Sequence, residues 1–154
     1  VDATPMWYRD RWWLFYSPAD TRATRFGHLH VAWARELAGP WHPHPGNPVR
    51  VDRASARPGG SAVQIGDRIL LPVQDCMRTY GGATRPLWIT RLDEAGFEAE
   101  CGEPLPLPAS AGGYRDGMHT LSCCGDWTLL DVKRVDRSGR GWLYDLRRLL
   151  APSA

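Results

Sequence analysis

Arg9-Asp10-Arg11-Trp12-Trp13-Leu14-Phe15-Tyr16 joins a polar turn to an unbroken apolar strand, and the chain makes the same join twice more. Gly66-Asp67-Arg68 leads into Ile69-Leu70-Leu71-Pro72-Val73, and Gly125-Asp126 leads into Trp127-Thr128-Leu129-Leu130-Asp131-Val132. The turn aspartates Asp10, Asp67 and Asp126 stand 57 and 59 positions apart. A period of this size marks a repeated supersecondary unit rather than a chance run of apolar residues.

The features on either side of each turn repeat in the same order. A short strand precedes each one: Thr4 to Tyr8, Ser61 to Ile65, and His119 to Cys123. A third strand with apolar alternation follows, carried by Leu29, Val31 and Trp33, then by Leu87 and Ile89, then by Trp142, Tyr144 and Leu146. Gly39 and Gly96, again 57 apart, close the first two units, and Trp41 or Phe97 then opens an outer fourth strand. Helix is the competing reading for 29–37 and 143–150, because Ala32, Ala34, Glu36 and Leu37 are good helix formers. The repeat favours strands, since the equivalent stretch 87–92 is flanked by Pro86 and an Ala-Gly turn.

Four antiparallel strands per unit, the first innermost, is the pattern of a β-propeller blade. The expectation is an all-β chain forming one β-propeller region over 1–154, with blade-like units at about 1–52, 53–108 and 109–154. The third unit lacks its outer strand, and a closed ring takes at least about four blades. The ring is therefore expected to be incomplete: part of a longer chain, open, or completed by a homo-oligomer in which two copies offer about six blades.

Composition agrees with many short strands and tight turns: eight Trp, 16 Gly and 13 Pro in 154 residues. The apolar run Ile69 to Val73 is far too short to span a membrane. Net charge is +2 with the basic residues scattered rather than set in a stripe, which excludes a nucleic-acid face. Cys76, Cys101, Cys123 and Cys124 form no C-x-x-C pair, so no zinc motif is present, and the thiols are expected to be reduced and mostly buried. Reduced thiols slightly favour a cytoplasmic setting. The chain shows no secretory signal and opens with Val1 rather than Met, as a trimmed or partial chain would.

Some of these residues carry a family resemblance. Asp2-Ala3-Thr4-Pro5 followed by Trp12-Trp13-Leu14-Phe15-Tyr16 resembles the first blade of the five-bladed glycosidase propellers of the arabinanase, levansucrase and invertase type. Gly39-Pro40-Trp41, Pro43-His44-Pro45, Ser55-Ala56-Arg57-Pro58-Gly59-Gly60, Gln74-Asp75-Cys76 and Tyr80-Gly81 are similar to one branch in particular. That branch is the N-terminal propeller of plant glucosamine inositolphosphorylceramide transferases and its bacterial stand-alone relatives; Asp116-Gly117-Met118-His119-Thr120 suits the same pattern. The resemblance runs through nearly all 154 residues and implies about the second half of such a domain. In the plant proteins sugar transfer is attributed to a separate glycosyltransferase domain, which nothing in this sequence resembles.

Glycosidases of this type work with carboxylates around an axial funnel, one attacking the sugar or activating water and one protonating the leaving oxygen. The resemblance makes Asp2 the first-blade base or nucleophile; the alternative is an aspartate that caps the turn before Thr4 and Pro5. Where the second blade of that family carries an acid, this chain reads Ala56-Arg57-Pro58-Gly59-Gly60. Asp75, beside Gln74 at the end of an apolar strand, is expected near Arg57, a pairing suited to gripping sugar hydroxyls or a phosphate. His119 is expected at an axial position with Asp116 close by, as an acid–base or hydrogen-bonding group.

Asp2, Asp75 and His119 are thus the catalytic candidates, and Arg57, Gln74, Asp75, Tyr80, Asp116 and His119 the ligand-binding candidates. Trp41, Trp127 and Tyr80 are the aromatics best suited to face a ligand, with packing the favoured reading for each. His28/His30 and His42/His44 form i, i+2 pairs, read as exposed loop histidines rather than metal ligands. Glu36, Glu94, Glu98, Glu100 and Glu103 all fall outside the inner strands, so no general acid is evident. No cofactor is called for. Three readings stay open: carbohydrate or glycoconjugate binding on a glycosidase-like scaffold; a glycoside hydrolase using Asp2 and Asp75 with its acid from missing blades; and a structural or interaction module.

Overall fold

The structure is a computed structural model that describes residues 1–139 and 141. The expected strand through Trp142, Tyr144 and Leu146 lies outside the described residues. The rest is all-β apart from two short helical turns.

The first sheet runs β1 (Thr4–Trp7), β2 (Trp12–Tyr16), β3 (His28–Ala34), β4 (His42–Pro43), each antiparallel to the next. β5 (Arg50–Val51) pairs with β3 beside His28 and Leu29, so β4 and β5 are two halves of one outer strand. Pro45 and Pro48 lack the N–H a ladder needs, and the gap between the halves is closed by a side chain instead. Asn47 Oδ1 accepts from Val31 N–H and Asn47 Nδ2 donates to Val31 O, both at 2.8 Å, so the amide stands in for a peptide unit. The turn between β1 and β2 has Arg9 and Asp10 at φ 50° and 60°, the twist a tight hairpin requires. Gly66 and Gly125 supply the same left-handed backbone at the other two anchor turns.

The second sheet repeats the plan with β6 (Arg57–Pro58) and β7 (Val63–Ile65) on one edge of β8 (Arg68–Asp75), then β9 (Ala83–Leu92) and β10 (Phe97–Cys101). Here the first strand is the one that is split. The sequence pointed to one inner strand at 61–65, whereas β6 and β7 are separate pieces with Gly59–Ala62 between them. The reason is that the chain turns from β8 after Gly59, whose N–H still donates to Pro72 O at 2.8 Å: Leu121 N–H donates to Gly59 O at 2.8 Å, and Gly60 bridges Leu121 in parallel. Leu121 belongs to β11 (Gly117–Cys124), which with β12 (Trp127–Lys133) makes the third sheet. Thr4 Oγ1 in turn donates to Gly60 O at 3.0 Å, so the first strands of all three sheets meet.

The core lies between the first two sheets. Met6, Trp13, Phe15, Leu29 and Val31 from one meet Ile69, Leu71, Val73, Leu87 and Ile89 from the other. Strand alternation decides which of the paired tryptophans joins them: Trp13 is buried, and Trp12 turns to the other face to meet Trp7 edge-on, 5.5 Å between ring centroids. Each such buried side chain contributes roughly 1.5–3 kcal/mol, so this two-sheet interface dominates the stability. The stretch from Leu29 is strand through Ala34, as the repeat required, not helix.

One element has no counterpart in the sequence reading. α1 (Arg22–Gly27) is a short helix between β2 and β3, started by a capping box in which the Thr21 and Thr24 side chains and backbones bond reciprocally. The cysteine expectation also needs correction. All four are free, but only Cys76 is buried, while Cys123 and Cys124 are exposed because they end β11 beside the Gly125 turn. Among the described residues no helix is long and apolar enough to cross a membrane.

Candidate functional site

Asp2 leads into β1 with a left-handed backbone, φ 50°, which is uncommon outside glycine. Its Oδ2 accepts from Arg57 Nε at 2.6 Å and from Gln74 Nε2 at 2.7 Å. Arg57 and Gln74 are themselves partners in the β6–β8 register, so one carboxylate oxygen ties the first sheet to the second. Gln74 Nε2 also donates to Pro58 O at 2.7 Å, which fixes the amide orientation and leaves Gln74 Oε1 buried without a hydrogen bond among the described residues.

Arg57 is nearly enclosed. Its guanidinium packs against the rings of Phe26 at 4.9 Å and Tyr80 at 5.0 Å, which meet each other edge-on, and Nη1 donates to Arg25 O at 3.2 Å. Stacking of this kind adds about 0.5–2 kcal/mol per ring when the cation is desolvated. α1 is what supplies Phe26 and Arg25, so the helix missed in the sequence holds one side of the arginine. Burial raises the Tyr80 hydroxyl above its ordinary pKa, with the Arg57 charge opposing the shift, so the phenol stays protonated at neutral pH.

Tyr80 carries the cluster on to the third sheet, with its ring 4.5 Å from that of His119. His119 Nδ1 lies 2.9 Å from Asp131 Oδ2 on β12, and His119 Nε2 is buried with no hydrogen bond among the described residues. Asp131 was not singled out from the sequence. Hairpin counting through the Gly125-Asp126 turn puts it opposite Thr120, next to the histidine, so the signal was there.

Beside this cluster a cleft of about 410 Å³ opens where the three first strands meet, lined by Asp2, Thr4, Gly60, Ser61, Thr120 and Ser122 with their immediate neighbours. Its Gly60 wall is obligatory, because a Cβ there would sit 1.7 Å from Leu121 O at φ +143°.

Five candidates, Asp2, Arg57, Gln74, Tyr80 and His119, are therefore brought together. Asp75 and Asp116 are not. Asp75 pairs with Arg85, 3.0 Å away, rather than with Arg57, because Arg85 stands on the neighbouring strand while Arg57 is taken by Asp2. Asp116 accepts from Val135 N–H and from Arg137 rather than partnering His119. The two aspartates share a separate cleft of about 470 Å³ with Arg78 and Arg85.

The histidine pairs also sort differently. His28 and His30 share a face of β3 with parallel rings 6.4 Å apart, as strand geometry requires. His42 stacks on Trp33, and His44 is buried, its Nδ1 accepting from Gly46 N–H and its Nε2 bonded to Asp93 O. The expectation of exposed loop histidines fails for His44, since the Pro-rich loop folds back onto the first sheet and needs an internal cap. No group of three metal-ligating side chains occurs among the described residues. Trp127 is exposed at the tip of the third-sheet hairpin, away from the cluster's aromatics Phe26 and Tyr80. Glu94 is bonded to Arg11, and Glu98 and Glu100 lie on the outer strand β10.

The model of the family described as glucosamine inositolphosphorylceramide transferase 1, N-terminal, matches residues 1–114. The chain belongs to this family. No curated protein and no solved structure matches it. The part matched to the transferase N-terminal family takes in both sheets of the core and the Asp2, Arg57, Gln74 and Tyr80 cluster. His119 and Asp131, which complete the cluster, follow the matched part.

Proposed function

We propose that the three sheets are successive blades of a β-propeller, that β1, β6–β7 and β11 are its inner strands, and that the cleft between them recognises a carbohydrate or glycoconjugate. The observation that carries this reading is the meeting of all three first strands around Asp2, through Thr4, Gly60 and Leu121. Inner strands lying side by side around a polar hollow are what a propeller axis provides, and axial hollows are where such folds bind ligands. The family description names a glucosamine inositolphosphorylceramide transferase, which supports a glycoconjugate as the ligand class.

Binding is favoured over hydrolysis by the carboxylate count. A glycosidase needs two carboxyl groups across one cleft. Among the described residues lining this one, Asp2 alone has a carboxylate, and Asp75 lines a different hollow. Asp2 accordingly presents the recognition carboxylate, held by Arg57 and Gln74 with Tyr80 and His119 packed beyond them, and Asp75 and Asp116 are structural ion-pairing groups.

Calorimetric titration with a panel of neutral, amino and phosphorylated sugars and polyols tests the reading, with Asp2→Asn as the shape-preserving control. Binding by the chain, weakened at least about tenfold in Asp2→Asn at a temperature where circular dichroism shows that the variant is still folded, is the expected result. Absence of binding across the panel would leave a purely structural module. Turnover of aryl glycosides that Asp2→Asn abolishes would move the assignment to hydrolase.

A further inference from the structure

Within the binding reading, the hydrogen-bond inventory of the cleft narrows the ligand. Asp2 is the only charged residue among the described residues that line it, and the charge is negative. Arg57, the cation nearest to hand, is not part of the lining. Its charge is matched by the Asp2 carboxylate at 2.6 Å, and the Phe26 and Tyr80 rings pack against its guanidinium.

The polar side chains left to a ligand are acceptors at Asp2 and Thr4 and hydroxyls at Ser61, Thr120 and Ser122, which accept as well as donate. Both hydrogen bonds to Asp2 go to Oδ2, which leaves Oδ1 without a donor among the described residues. The Thr4 hydroxyl spends its proton on Gly60 O at 3.0 Å and so presents lone pairs. Ser122 Oγ accepts from Ser61 N–H at 3.3 Å, which leaves its own proton free to donate.

We infer that this cleft selects an uncharged or amine-bearing polyol and rejects anions. Hydroxyl and ammonium groups donate to the acceptors on offer. A phosphate or sulfate group donates nothing at neutral pH and meets the Asp2 carboxylate as a like charge. In a ligand that carries both a polyol ring and a phosphate, the ring occupies the cleft and the phosphate lies outside it.

The test is competitive calorimetry on the folded chain with four probes: inositol, an amino sugar, inositol 1-phosphate and inorganic phosphate. The expected result is that inositol or the amino sugar binds at least about tenfold tighter than inositol 1-phosphate, and that inorganic phosphate does not displace either. In Asp2→Asn, whose shape is conserved, the discrimination against inositol 1-phosphate is expected to shrink at least about threefold, because the repelling charge is gone. Tighter binding of the phosphorylated probe, or displacement by inorganic phosphate, overturns the inference while leaving glycoconjugate recognition standing. Failure of every probe to bind overturns both.

Discussion

Arg57 Nε donates to Asp2 Oδ2 at 2.6 Å, joining the entries of two sheets that lie 55 positions apart in the chain. The two side chains are unequally enclosed, 7% of the arginine and 32% of the aspartate being exposed. Removing the carboxylate leaves a nearly buried guanidinium without a counter-charge, whereas removing the arginine leaves a carboxylate that water reaches. Asp2→Ala is therefore expected to cost about 3 kcal/mol in urea denaturation, and a double-mutant cycle with Arg57→Ala to give a coupling above about 1 kcal/mol. A coupling near zero would reduce the pair to an ordinary surface contact.

Gly60 allows a sharper comparison, because a second glycine in the same sheet separates two effects. Gly60 and Gly66 both have positive φ, +143° and +63°, so alanine is strained at either. At Gly66 a Cβ meets nothing within 4 Å, and the expected cost is the backbone term alone, about 1 kcal/mol. At Gly60 the Cβ falls 1.7 Å from Leu121 O, and the atom it strikes is backbone that cannot rotate away. Gly60→Ala is expected to lose more than about 3 kcal/mol and to detach β11 from the inner edge of the second sheet. Hydrogen exchange reads this directly: the Leu121 amide loses protection in Gly60→Ala and keeps it in Gly66→Ala.

The contrast between these glycines also shows what the sequence could convey. The turn aspartates Asp10, Asp67 and Asp126 gave the unit length, and the strands on either side of each turn follow from two-residue alternation, which is a local property. Partner choice among charged groups is not local. Arg57 takes Asp2 from 55 residues away in the chain, while Asp75 is taken by Arg85 on the neighbouring strand. The same limit hid α1: six residues with a threonine at the cap carry too little periodicity to stand out between two strands. Once α1 is in place, Phe26 reaches Arg57, and half the enclosure of the arginine comes from an element the repeat did not contain.

His119 shows how a local irregularity makes a directed group. Met118 pairs with Val132 and Thr120 with Asp131, so His119 is an extra residue in β11, a bulge, and a bulge turns its side chain out of the regular pleat. The ring is turned onto Tyr80 and packs above Gly81, where a Cβ would stand 3.3 Å from the His119 Cβ. Asp131, the residue opposite the bulge, takes Nδ1 at 2.9 Å. A carboxylate on Nδ1 holds the proton there, so Nε2 carries the lone pair and faces its buried surroundings as an acceptor. Nitrogen NMR of the neutral ring is expected to show His119 as the Nδ1–H tautomer. Asp131 is 61% exposed, so Asp131→Ala is expected to change stability by less than about 0.5 kcal/mol while releasing the tautomer to a mixture. An Nε2–H tautomer in the wild type would mean that the bulge serves packing against Tyr80 and not the presentation of an acceptor.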